Sequence, residues 1–157
     1  MIDFQFSALP ARVFAELFSK TDRELDALGA RRMIVDVKPG FPCRVSLVDA
    51  EPGEEVVLLP FIHHDVPSPY RASGPVFVRK NAETAYPAVN EIPQILQHRQ
   101  LSLRAYDRAG MMVGASVAEG RDLRSALGLL FENQQVEYIQ VHNAKPGCFN
   151  CTVRRVG

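Results

Sequence analysis

Cys43, Cys148 and Cys151 are the three thiols of the chain, and two of them stand near residues that could activate them. Arg44 follows Cys43, and His142-Asn143 precede Cys148 across a Pro146-Gly147 turn. A thiol becomes a nucleophile when a base or a positive charge stabilises its thiolate. His142 could serve Cys43 or Cys148 in that way, with Asn143 orienting the ring. Cys43, His142 and Cys148 are therefore the candidate catalytic residues. The simpler roles are those of small core thiols and of a histidine that caps a loop at a strand end.

A second constellation is cationic. Arg44 stands beside Cys43 and Arg71 beside Tyr70, while Phe77 and Arg79, like Arg104 and Tyr106, share a face if their segments are strands. Guanidinium forks bind carboxylate or phosphate through paired hydrogen bonds. If two of them converge beside Tyr70 and Ser73, the natural ligand is a small anion. Arg44, Tyr70, Ser73, Arg79 and Asn143 are the candidate binding residues. Surface arginines lying along apolar side chains are the plainer alternative, and Tyr70 and Ser73 are equally suited to stabilising a turn.

Metal chemistry is a weaker prospect. Cys148-Phe149-Asn150-Cys151 has C-x-x-C spacing, but a structural zinc site needs a second ligand pair. In a regular strand those two sulfurs point to opposite faces, as do the adjacent His63 and His64. No metal site and no cofactor are expected. There is no glycine-rich phosphate loop, nucleophile elbow or H-E-x-x-H pattern.

The elements that must position these groups are mostly strands. Alternation or apolar runs predict them at Phe4–Phe6, Met33–Val37, Arg44–Val48, Glu55–Ile62, Pro75–Arg79, Leu101–Tyr106, Met111–Val117, Val136–His142 and Cys148–Val156. Helical spacing follows Pro10, at Val13, Phe14, Leu17 and Phe18. Thr21 and Glu24 form a capping box for a helix that Gly29 can end. Residues 81–94 read as a long loop closed by a helical turn at Ile92–His98. The last helix carries the stripe Leu123, Ala126, Leu127, Leu130 and Phe131. Many strands joined by short turns, with about three short helices, indicate an α+β fold on a largely antiparallel sheet, formed by residues 1–157 as a single domain. Two Pro-Gly turns lead toward cysteines, at Pro39-Gly40 and Pro146-Gly147. Each suits a type II turn with a left-handed glycine, and both read as ordinary hairpin turns.

A hydrophobic share of 46% with 23% charged residues is globular composition. The 18 basic and 18 acidic residues cancel, which argues against a general nucleic-acid binder. No stretch approaches 18 consecutive apolar residues, so no membrane span is expected. The first residues lack a basic segment followed by an apolar run, so no signal peptide is expected. Together with three thiols, an odd number, this points to a cytoplasmic location.

Several segments carry a likeness to known proteins. They are Lys38-Pro39-Gly40-Phe41-Pro42-Cys43-Arg44-Val45-Ser46-Leu47, Asp49-Ala50-Glu51-Pro52-Gly53-Glu54, Ser68-Pro69-Tyr70-Arg71-Ala72-Ser73-Gly74-Pro75-Val76-Phe77-Val78-Arg79 and His142-Asn143-Ala144-Lys145-Pro146-Gly147-Cys148-Phe149. Together they resemble the bacterial family known as domain of unknown function 1203, over nearly the whole chain. The motifs match at Cys43, Arg44, Tyr70, Ser73, Arg79, His142, Asn143 and Cys148, whereas Cys151 lies outside the pattern. The resemblance implies a single-domain bacterial protein and no particular reaction. The leading expectation is thus a binding protein for a small anionic molecule, an enzyme if the thiol and imidazole act. The rival is an interaction module that works by homodimerisation or partner docking, through Met111-Met112 or an uncovered edge strand. Neither expects nucleic acid or membrane as partner.

Overall fold

A computed structural model describes residues 2–157. Eight strands form two antiparallel sheets. The larger contains β1 (Phe4–Ser7), β5 (Gln100–Tyr106), β6 (Met112–Glu119), β7 (Tyr138–Asn143) and β8 (Phe149–Arg155), in the order β1-β8-β7-β5-β6. The smaller contains β2 (Arg31–Ile34), β3 (Glu55–His64) and β4 (Ala72–Arg79), in that order. The helices are α1 (Asp22–Ala27), α2 (Gln94–Gln97) and α3 (Leu123–Phe131). The architecture is α+β with antiparallel sheets, as the alternation of apolar residues predicts. No helix among the described residues is long and apolar enough to cross a membrane.

The stripe on α3 does what its spacing requires. Leu123, Leu127 and Phe131 are buried against one face of the larger sheet, where Leu101, Leu103, Ile139, Val141, Cys151 and Val153 meet them. Each such side chain contributes roughly 1.5–3 kcal/mol by leaving water. A second core under the smaller sheet gathers Phe14, Leu17, Leu25, Val45, Val57 and Val78. The capping box on α1 is complete: Glu24 N–H donates to Thr21 Oγ1 at 3.1 Å, and Thr21 N–H donates to Glu24 Oε1 at 3.0 Å. Gly29 follows it with φ of 71°.

Three sequence expectations need correction. The Arg44–Val48 segment is a tight loop: Cys43 N–H donates to the Val48 carbonyl and Leu47 N–H to the Cys43 carbonyl. Its alternating residues mimic a strand because Val45 enters the smaller core while Leu47 enters the larger one. The helical spacing at residues 13–18 resolves into two 3-10 turns, Ala11–Phe14 and Leu17–Ser19, with Phe14 and Leu17 buried. Of the two Pro-Gly turns, only Gly147 is left-handed, with φ of 82°. Gly40 instead lies close to Val37, whose side chain would sit 3.1 Å from an added Cβ.

The sheets meet through a polar layer. His63 Nδ1–H donates to Gln140 Oε1 at 3.0 Å, and Gln140 Nε2–H returns a bond to the His63 carbonyl. His64 Nδ1–H donates to the Tyr70 carbonyl, and its Nε2 accepts from the Tyr138 hydroxyl at 2.6 Å. Buried polar groups must be paired, and these pairs hold the end of β3 against β7.

Candidate functional site: a cation-lined pocket with a thiol

The hairpin between β7 and β8 sets up the site. Asn143 N–H donates to the Cys148 carbonyl at 2.8 Å, and Gly147 N–H donates to the Asn143 carbonyl at 2.9 Å. The Lys145-Pro146-Gly147 turn therefore brings the half-buried Cys148 back beside Asn143. The Asn143 side-chain Nδ2–H donates to Cys148 Sγ at 3.3 Å. Its Oδ1 accepts from Asn150 Nδ2–H at 2.8 Å, and Asn150 is fully buried. The amide is thus fixed with its donor end on sulfur.

Arg44 arrives from the loop after Cys43. The loop is anchored because Arg44 N–H donates to the Phe77 carbonyl and the Arg44 carbonyl accepts from Leu9 N–H. The side chain is 1% exposed. Its Nε–H donates to the Phe149 carbonyl at 2.7 Å, and an Nη1–H donates to the Pro42 carbonyl. Burial lowers the Arg44 pKa below its ordinary value, and the adjacent Cys148 and Cys43 sulfurs oppose that shift. A buried charge normally has an opposite charge as partner. Among the described residues this guanidinium has carbonyl acceptors and no carboxylate.

These groups face one opening of about 480 Å³. Its walls are Gly40, Pro42, Arg44, Phe77, Arg99, Gln100, Asn143, Lys145, Pro146 and Cys148. Both Pro-Gly turns noted in the sequence thus contribute to its rim. Three cations line it and, among the described residues, no acidic residue does. Arg99 is balanced from behind, its two terminal nitrogens bonding the carboxylate of buried Asp49 at 3.1 and 2.6 Å. That leaves Arg44 and the exposed Lys145 without a carboxylate among the described residues.

His142 stands behind the wall. Its Nδ1–H donates to the Gly147 carbonyl at 3.0 Å, and its buried Nε2 has no partner among the described residues. The ring meets His63 edge-on at 5.0 Å and Phe149 at 5.7 Å. Burial pushes its pKa down to about 3, so it is neutral at ordinary pH. It bonds neither thiol, and Asn143 serves the sulfur rather than the imidazole.

Arg44, Asn143 and Cys148 are therefore brought together, with His142 next to them. The other candidates lie elsewhere. Cys43 is sealed in the smaller core, where its Sγ accepts from Ser46 N–H and Arg79 N–H at 3.4 Å each. Arg79 is held in a two-point pair with Glu54 at 2.6 and 2.7 Å and borders a different hollow with Arg12. Tyr70 is exposed, with its ring edge toward Tyr106, and Ser73 is exposed on β4 opposite Ile62. Cys151 is fully buried in the core that α3 covers. Sequence reasoning missed Arg99 and Gln100, and took Lys145 only as a turn residue. The echo of the two Pro-Gly turns was the available signal for the rim.

The fold and this site define an α+β protein with a cation-lined, thiol-bearing pocket. The family model described as "Protein of unknown function (DUF1203)" matches residues 40–155, and the chain belongs to that family. The matched region contains every residue of the pocket wall. Comparisons with curated proteins and with solved structures returned no match.

Proposed function

We propose that the protein binds a small anionic molecule in the pocket between Arg44, Asn143 and Lys145. One observation carries this reading: Arg44 is a buried cation that donates to main-chain carbonyls, and among the described residues no carboxylate pairs with it or lines the opening it borders. An anion entering the opening would supply the missing counter-charge, and Asn143 and Lys145 would add donors. Phe77, Pro42 and Pro146 would take the apolar part of the ligand. Three free cysteines agree with a reducing compartment such as the bacterial cytoplasm.

Thermal unfolding in rising inorganic phosphate, against chloride at equal ionic strength, tests the reading. Saturation to one hundred times Kd should stabilise the fold by about 2.7 kcal/mol. Lys145→Gln should weaken the effect and Arg79→Gln should leave it intact. Equal unfolding curves in phosphate and chloride would remove the anion site.

A second reading has its own support. Strand β6 is an uncovered edge of the larger sheet, and it carries no charge from Met112 to Ala118, with Val117 exposed. Such an edge can pair with a second copy. Sedimentation equilibrium checks it: a concentration-independent monomer mass would exclude homodimerisation.

A further inference from the structure

We propose that Cys148 is a site of thiol–disulfide exchange with small anionic disulfides, which its cationic pocket selects by charge. The inference rests on the anion-binding reading of the same pocket and names the class of molecule that enters it.

Cys148 is singled out by geometry. Cys43 and Cys151 are both 0% exposed, one locked by two main-chain N–H donors and the other packed under α3. Cys148 alone of the three lines an opening. Its sulfur receives the Asn143 amide at 3.3 Å and shares the wall of the opening with the guanidinium of Arg44. The cysteine does not stand by itself, because Arg44 is an independent sign of a ligand: a cation 1% exposed, without a carboxylate, on the same wall. Lys145 sits on the rim above it. A carboxylate-bearing disulfide would place its acid on these cations and its sulfurs near Cys148, while a cationic disulfide would be repelled.

The chemistry is self-contained. The Cys148 thiol loses its proton to solvent, and the thiolate attacks one sulfur of R–S–S–R. The new Cys148–S–S–R bond forms as the reagent's own S–S bond breaks. R–S⁻ departs with the electron pair and takes a proton from solvent. Cys148 is oxidised and the disulfide is reduced, so no further oxidant enters. No second thiol is open to the product: Cys43 and Cys151 are both fully buried, Cys151 within the core that α3 covers. The product is therefore a lasting mixed disulfide, reversed only by an external thiol.

The test compares reagents of different charge. Folded protein is treated with dithiobis-nitrobenzoate (anionic), dithiodipyridine (neutral) and cystamine (cationic), each rate being divided by that of a small uncharged reference thiol. One adduct per chain, located at Cys148 by mass spectrometry, is expected. The normalised anionic rate should exceed the cationic one by about tenfold at low salt and converge on it at high salt. Lys145→Gln, a change at an exposed rim position, should cut that ratio severalfold, and Lys145→Glu should reverse it. A charge-independent ratio, or labelling at Cys43 instead, would overturn the proposal. The phosphate-dependent unfolding of the unmodified protein separates the two failures. If phosphate stabilises but the rates show no preference, the exchange site falls and the anion pocket stands. If phosphate has no effect either, both fall.

Discussion

Arg44 Nε–H donates to the main-chain carbonyl of Phe149 at 2.7 Å, joining residues 105 apart in the chain. The same guanidinium satisfies the Pro42 carbonyl, so one side chain ties β8 to the segment that carries Pro42 on the pocket wall. A lysine retains the charge but lacks the planar fork. Arg44→Lys should leave at least one buried carbonyl unpaired and lower unfolding stability by about 1–3 kcal/mol. Denaturant titration checks this, and an unmoved midpoint would show that the carbonyls do not depend on the fork.

Asp49 holds Arg99 from behind with both carboxylate oxygens, and its side chain is fully buried. Asp49→Asn removes the charge but not the shape. Breaking a buried pair from one side costs about 3–5 kcal/mol, which should appear as a large fall in melting temperature. The variant also frees a third cation, Arg99, at the pocket. Phosphate should therefore stabilise it more than it stabilises the wild type, as paired melting curves would reveal.

The neutral, buried His142 makes stability depend on pH. In the unfolded chain the ring takes a proton near pH 6.5, whereas in the folded chain burial holds its pKa down to about 3. Between these values the unfolded state binds more protons, so stability falls as pH falls. The slope from this group approaches about 1.4 kcal/mol per pH unit below pH 6. His63 shifts in the same direction, chiefly through burial. Denaturant midpoints between pH 7 and 5 read the two buried histidines without the carboxylates lowered by their partners, Glu24 and Glu54, which titrate below that range. His142→Gln should flatten the slope; an unchanged slope would contradict the buried neutral ring.

The two cysteines at the start of β8 should respond differently to serine. Cys151→Ser puts a hydroxyl into the apolar core under α3 and should cost about 1–3 kcal/mol. Cys148→Ser keeps a small polar group at the pocket wall, able to accept from Asn143, and should cost well under 1 kcal/mol, about the size of an ordinary surface change. Equal losses in denaturant titrations would mean that the two sulfurs share an environment.

The elements that could be read from sequence were those governed by local period. The stripe Leu123, Leu127, Phe131 depends only on helical spacing, and the Thr21–Glu24 box depends on three residues of separation. The strands β3 to β8 follow from alternation or apolar runs. Arg44–Val48 was misread because a loop that feeds two cores has the same alternating pattern as a strand. The site was legible in part. Asn143 and Cys148 are close in sequence, so hairpin geometry could suggest their meeting, and Arg44 joins them only through tertiary packing. Which arginines are free to act was not legible. Arg79 is matched by Glu54, 25 residues away, and Arg99 by Asp49, 50 residues away. Charge balance over such separations has no signature in spacing.

The loop that carries Arg44 also ties the two sheets into one cooperative body. Its main chain bonds β4 at Phe77 and the N-terminal segment at Leu9, its side chain bonds β8, and its apolar residues fill both cores. Neither sheet can open without withdrawing this loop from the other. The slowest-exchanging amides of β4 and β7 should therefore report the same opening free energy in native-state hydrogen exchange.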